Sequence, residues 1–116
     1  MNNPSPLLRS ALSPARRQLV DLIVSIHFGR IEKLLVRDGQ PLFEPAPRVV
    51  RTLKMNGRND PRARSALVDF MLRKEDTELL EQIRRLGTGC VPRIEIANGL
   101  PLFAEFEEPT RDGVPA

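Results

Sequence analysis

Two stretches decide how this chain folds: Leu19 to Phe43, LVDLIVSIHFGRIEKLLVRDGQPLF, and Leu79 to Phe103, LLEQIRRLGTGCVPRIEIANGLPLF. Aligned without a gap, seven of their 25 positions are identical: Leu19/Leu79, Ile23/Ile83, Gly29/Gly89, Gly39/Gly99, Pro41/Pro101, Leu42/Leu102 and Phe43/Phe103. Average residue usage gives about one or two identities by chance. Eight more positions are conservative exchanges, among them Asp21/Glu81, Leu34/Ile94, Val36/Ile96 and Asp38/Asn98. The two stretches read as copies of one unit.

Each copy reads as helix, glycine stop, strand, tight turn and strand. Ser13-Pro14 supplies an N-cap with Pro at the first helical position. Leu19, Val20, Ile23, Val24 and Ile26 then follow a helical period, with His27 beside the stripe. Gly29 is expected as the left-handed C-terminal residue. In the second copy Asp76 or Thr77 is the expected cap, Leu79, Leu80, Ile83 and Leu86 the apolar stripe, and Gly87 or Gly89 the stop. Asp38-Gly39 and Asn98-Gly99 are two-residue hairpin signals.

Counting back from these turns predicts the faces of the sheet. Leu34, Val36, Pro41 and Phe43 share one face with Ile94, Ile96, Pro101 and Phe103, all expected to meet the helices. The opposite face is expected to carry Ile31, Lys33, Leu35 and Leu42, with Val91, Arg93, Glu95 and Leu102. Pro41 and Pro101 cannot donate to a ladder, which places their strands near an edge or a bulge.

Between the copies, Arg48 to Met55 reads as a strand, Asn56-Gly57-Arg58-Asn59 as a turn, and Asp60-Pro61 as the start of a helix through Ala66, Leu67, Phe70 and Met71 that either ends at about Lys74 or continues, kinked, into the helix of the second copy. Residues 1–12 and 109–116 read as tails. The expected architecture is a single α+β domain over 13–108, with copies at about 14–45 and 74–105. About three helices lie on one face of a four- or five-stranded, mostly antiparallel sheet.

The helix–Gly–strand–DG–strand unit resembles the YezD-like family of very small, uncharacterised bacterial proteins. The matching features are Gly29, the strand Ile31–Val36 and Asp38-Gly39 in the first copy, and Gly89, Ile94–Ile96 and Asn98-Gly99 in the second. The resemblance covers about 30 residues per copy, and the Pro-Leu-Phe after each turn departs from that pattern. It implies a small bacterial soluble protein, and it carries over no activity and no catalytic residue.

Composition narrows the function. The chain has 116 residues, with one cysteine and one histidine, Cys90 and His27, which excludes an internal disulfide framework and a zinc site built only from Cys and His. No apolar run approaches the roughly 18 residues of a membrane span, and the N-terminus lacks the pattern of a signal peptide. A cytoplasmic protein with no cofactor and no membrane contact is therefore expected. No phosphate-binding glycine loop, nucleophile elbow or HExxH motif is present. His27 reads as structural and Cys90 as an inert, half-buried thiol. Glu105, Glu107 and Glu108 read as a solvated acidic stretch, since they lack calcium-loop spacing.

Charge is distributed unevenly. Residues 1–74 hold 14 Lys/Arg against six Asp/Glu, and residues 75–116 hold four against nine. That asymmetry fits a polyanion partner for the first part, head-to-tail contact between copies, or an ordinary solvated surface. The leading expectation is a non-catalytic interaction module, a homo-oligomer or the binder of another protein, using Ile31, Leu35, Leu42, Val91 and Leu102 on the second sheet face. The competing expectation is a nucleic-acid-binding protein that uses Arg48, Arg51, Lys54, Arg58, Arg62 and Arg64 against phosphates. Against it, no aromatic residue is interleaved with those cations for base stacking.

Overall fold

The computed structural model describes residues 8–53, 55, 69–107, 110–111 and 114–115. In chain order these form α1 (Pro14–Ile26), β1 (Gly29–Arg37), β2 (Gln40–Leu42), β3 (Arg48–Arg51), α2 (Lys74–Leu86), β4 (Gly89–Ala97) and β5 (Leu100–Glu107). Two-residue strands β6 (Thr110–Arg111) and β7 (Val114–Pro115) follow. The main sheet has five strands in the order β2-β1-β4-β5, and β3 pairs with β1 beyond the end of β2. Every pairing is antiparallel, and the fold is α+β.

Local chemistry sets the helix ends. Ser13 is the N-cap of α1, its side chain accepting from the Arg16 N–H, and Pro14 fills the first helical position. The start of α2 differs from expectation. Its N-cap is Arg73, and Asp76, buried at the third helical position, reaches back to accept from the Arg73 N–H at 3.0 Å. Asp76 therefore acts from inside the helix rather than as its cap. Residues 69–72 precede that cap and, like it, are not helical, so the helix expected to reach Lys74 does not do so; its part over 61–68 lies outside the described residues, as does the turn at 56–59.

Both helices end in the same way. His27 has φ 67 and ψ −63, and the Phe28 N–H donates to the Ile26 carbonyl at 2.7 Å. Gly87 has φ 73 and ψ −83, and the Thr88 N–H donates to the Leu86 carbonyl at 2.9 Å. Each is a γ-turn of the strained kind with positive φ. His27, not Gly29, is thus the left-handed residue that stops α1. Gly29 (φ 150) serves another need: a Cβ there would lie 2.1 Å from the Val50 carbonyl oxygen, so only glycine lets β3 approach β1.

The hairpin turns are as read. Asp38 and Gly39 have φ 52 and 74, and Asn98 and Gly99 have φ 56 and 73, the left-handed pair that a type I′ turn needs. Leu35 pairs with Leu42 and Val36 with Pro41.

The strict alternation expected along β1 and β4 fails at their middle. Lys33 has φ 59, and the strand changes phase there, so Ile31, Leu34 and Val36 all face the helices. Pro92 falls opposite Lys33, between the pairs Glu32–Arg93 and Leu34–Val91, and has no N–H to donate. Beta4 changes phase at the same level and buries Val91, Ile94 and Ile96. These residues join Leu19, Val20, Ile23 and Val24 of α1 and Leu79, Leu80 and Ile83 of α2 in a single core.

The expected equivalence of Phe43 and Phe103 is overturned. Phe43 packs against the core, but Phe103 is 48% exposed. The cause is a bulge: Ile96 pairs with Pro101 and Glu95 with Phe103, leaving Leu102 as an extra residue. Ala104 takes the place beside Ile94 that Phe103 was expected to hold.

The N-terminal segment also departs from its reading as a tail at residues 8–12. Arg9–Ala11 form a 3-10 turn. The Arg9 N–H donates to the Phe70 carbonyl, and its guanidinium pairs with Asp21 of α1.

Candidate interaction surfaces

Two of the five residues expected on an exposed sheet face are in the core: Ile31 and Val91 are both 0% exposed. The phase change at Lys33 and Pro92 puts them there. Leu35 and Leu42 remain as a half-buried cross-strand pair, while Leu102 is 66% exposed on β5, with β4 between them.

The sheet face away from the helices is charged instead of apolar. Cross-strand pairing lines up Arg48, Glu32, Arg93 and Glu105 across β3, β1, β4 and β5. The Arg30 guanidinium holds Glu32 at 2.8 Å, Arg48 approaches the same carboxylate at 3.5 Å, and Arg93 holds Glu95 at 2.8 Å. The Arg30 hydrogen bond keeps the Glu32 carboxyl below the usual carboxylate range, helped by the charges of Arg48 and Arg93. Arg93 also lies over the Phe103 ring, 5.5 Å from its centre. Oppositely charged cross-strand neighbours of this kind favour the sheet pairing itself.

Of the expected polyanion-binding residues, Arg48 and Arg51 lie exposed on β3. Each is already engaged within the chain, Arg48 with Glu32 and Arg51 through a 3.3 Å hydrogen bond to the Ser25 carbonyl. Lys54, Arg58, Arg62 and Arg64 lie outside the described residues.

The two candidate reactive side chains sit in structural settings. His27 occupies the α1 cap with its ring 4.5 Å from that of Phe28. Cys90 is half-buried, and burial pushes its thiol pKa up, with Glu107 adding to the effect. Glu105 and Glu107 are exposed on β5. Among the described residues, no three His, Cys, Asp or Glu side chains gather to hold a metal ion, and no helix is long and apolar enough to cross a membrane.

What the sequence reading missed is the apolar side chains that the two sheet borders gather and expose. Beta5 presents Leu102 and Phe103 beside a cleft of about 380 Å³ against α2, lined by Leu79, Gln82, Pro101 and Phe106. The opposite border carries Val49, 42% exposed, with exposed Leu53 just beyond it. The proline of the Pro-Leu-Phe after Asn98-Gly99 does place its strand near an edge or a bulge, as expected, and both are present. No family model, no curated protein and no solved structure matches the chain.

Proposed function

We propose that this chain is a small non-catalytic interaction module that associates with further copies of itself. The observation that carries this reading is the adjacent pair Leu102 and Phe103, largely exposed on a border strand. Large apolar side chains side by side at a sheet edge lose contact with water when a partner covers them, and an uncovered edge also offers unpaired backbone groups. The settings of His27 and Cys90 support a non-catalytic reading, since one closes a helix and the other is a thiol held in its protonated form. The single cysteine accords with a reducing, cytoplasmic setting.

Sedimentation equilibrium over a micromolar concentration series tests the proposal. The expected result is a mass above that of the monomer, which falls when Leu102→Glu places a charge in the contact. A strict monomer at high micromolar concentration overturns it.

A further inference from the structure

We infer that copies join border to border, with β5 of one copy pairing antiparallel to β3 of the next. This rests on the self-association reading and names its surfaces.

Three observations converge. Among the described residues, β3 pairs only with β1 and β5 only with β4, so each has one side of its backbone turned away from the sheet. The strand directions also fit. Each strand in the series β3, β1, β4, β5 is antiparallel to its neighbour, so the two border strands run in opposite directions. A second copy set alongside, with its helices on the same side, therefore brings its β3 antiparallel to the first copy's β5. The alternation of the sheet continues across the junction.

The side chains of the two borders are complementary. On the charged face, β3 presents exposed Arg48, in the row of Glu32, Arg93 and Glu105, and β5 presents exposed Glu105 and Glu107; Arg51 lies on the helix side of β3 with the apolar Val49, and β5 adds the apolar Leu102 and Phe103. Pairing like borders would set cations against cations or carboxylates against carboxylates. Pairing unlike borders in register with the sheet sets Arg48 of one copy against Glu105 of the next and covers apolar surface on both borders. Charged residues on an edge commonly guard it against pairing. Here the cations of one border face a partner border that carries carboxylates, so the guard fails for that one combination. The contact uses different surfaces on the two copies, so it builds a ring or an open chain.

Multi-angle light scattering of the full chain, in low and moderate salt, tests this. The expected result is a mass that rises with concentration and falls with salt. Arg48→Glu with Arg51→Glu gives a chain with two acidic borders, and Glu105→Lys with Glu107→Lys gives one with two basic borders. Each is expected to be monomeric alone, and an equimolar mixture to reassociate. Circular dichroism checks that both fold. If reversing Arg48 unfolds the chain through its contact with Glu32, the Glu105/Glu107 variant alone carries the test, its own loss of association being the expected result. A monomeric wild type overturns this inference and the self-association reading together. An oligomer that salt and both charge reversals leave intact, but that Leu35→Glu or Leu42→Glu dissolves, overturns the border pairing and leaves self-association standing.

Discussion

The backbone N–H of Gly39 donates to the carbonyl of Gly87 at 2.8 Å, tying the tip of the first hairpin to the end of the second helix. The N–H of Gly99 donates to the carbonyl of His27 at 2.9 Å, tying the second hairpin to the first helix. Each hairpin is thus latched by the other half of the chain. Both turn glycines hold their latch from a left-handed conformation, with φ of 74 and 73.

Valine at Gly39 or at Gly99 strains that conformation and is expected to destabilise the protein by about 1 kcal/mol or more. At Gly39 the nearest atoms to an added Cβ are 3.5 Å away, so crowding adds little and strain dominates. Changing Arg37 or Ala97, just before each turn, is expected to cost much less. Urea midpoints read the difference, and equal losses at all four positions would refute the turn assignment.

His27 carries at the end of α1 the backbone that Gly87 carries at the end of α2. His27→Gly is expected to raise stability, because relief of about 1–3 kcal/mol of backbone strain exceeds the added flexibility of the unfolded chain, about 0.5–1 kcal/mol. His27→Val, with a β-branched side chain in the same conformation, is expected to lower it. Thermal melts of the two variants give opposite signs if the γ-turn governs this position, and the same sign if the imidazole itself does.

Acid is expected to weaken the fold through its paired carboxylates. Glu81, held by Arg84 first and by Arg85, has its pKa lowered from an ordinary 4.5 to about 2, and Glu32 is lowered by Arg30. With the folded pKa depressed, the unfolded chain binds more protons in that interval. The contribution is therefore present above the ordinary carboxylate value and is lost as pH falls toward 2. Glu81→Gln should flatten the decline in urea midpoint across this window. The side chains involved are open to solvent, so added salt should shrink the effect. A decline that Glu81→Gln leaves unchanged assigns it to other groups.

The Cys90 thiol should react slowly. Burial and the neighbouring Glu107 both favour its protonated form. Alkylation at pH 8 is expected to run well below the rate for the unfolded chain, and Glu107→Gln to speed it. A folded-state rate equal to the unfolded rate would show an open thiolate.

The parts of the fold written in local chemistry were legible in the sequence. Ser13-Pro14 starts α1, and Asp38-Gly39 and Asn98-Gly99 make the turns, because each dipeptide fixes its own backbone. The start of α2 was less so, because Arg73 has no side-chain oxygen to cap with and Asp76 supplies one from within the helix. Ile31 and Val91 were assigned to the wrong face because period-2 counting cannot register a left-handed Lys33 inside a strand. Phe103 was misplaced by a single bulged residue. The opposed charges of the two sheet borders were visible only as an imbalance between the two parts of the chain. Strand order, which tertiary contacts decide, turns that imbalance into a property of surfaces.

The paired irregularity at Lys33 and Pro92 bears on how this chain can change in length. Removing Lys33 alone would restore plain alternation to β1 while leaving β4 with its extra residue, and Ile31 could no longer meet Ile94 while Leu34 meets Val91. Removing Pro92 alone would do the same from the other side. Removing both would leave two regular strands that still match. The two positions are thus a compensated pair of insertions, and relatives of this protein should carry both or neither.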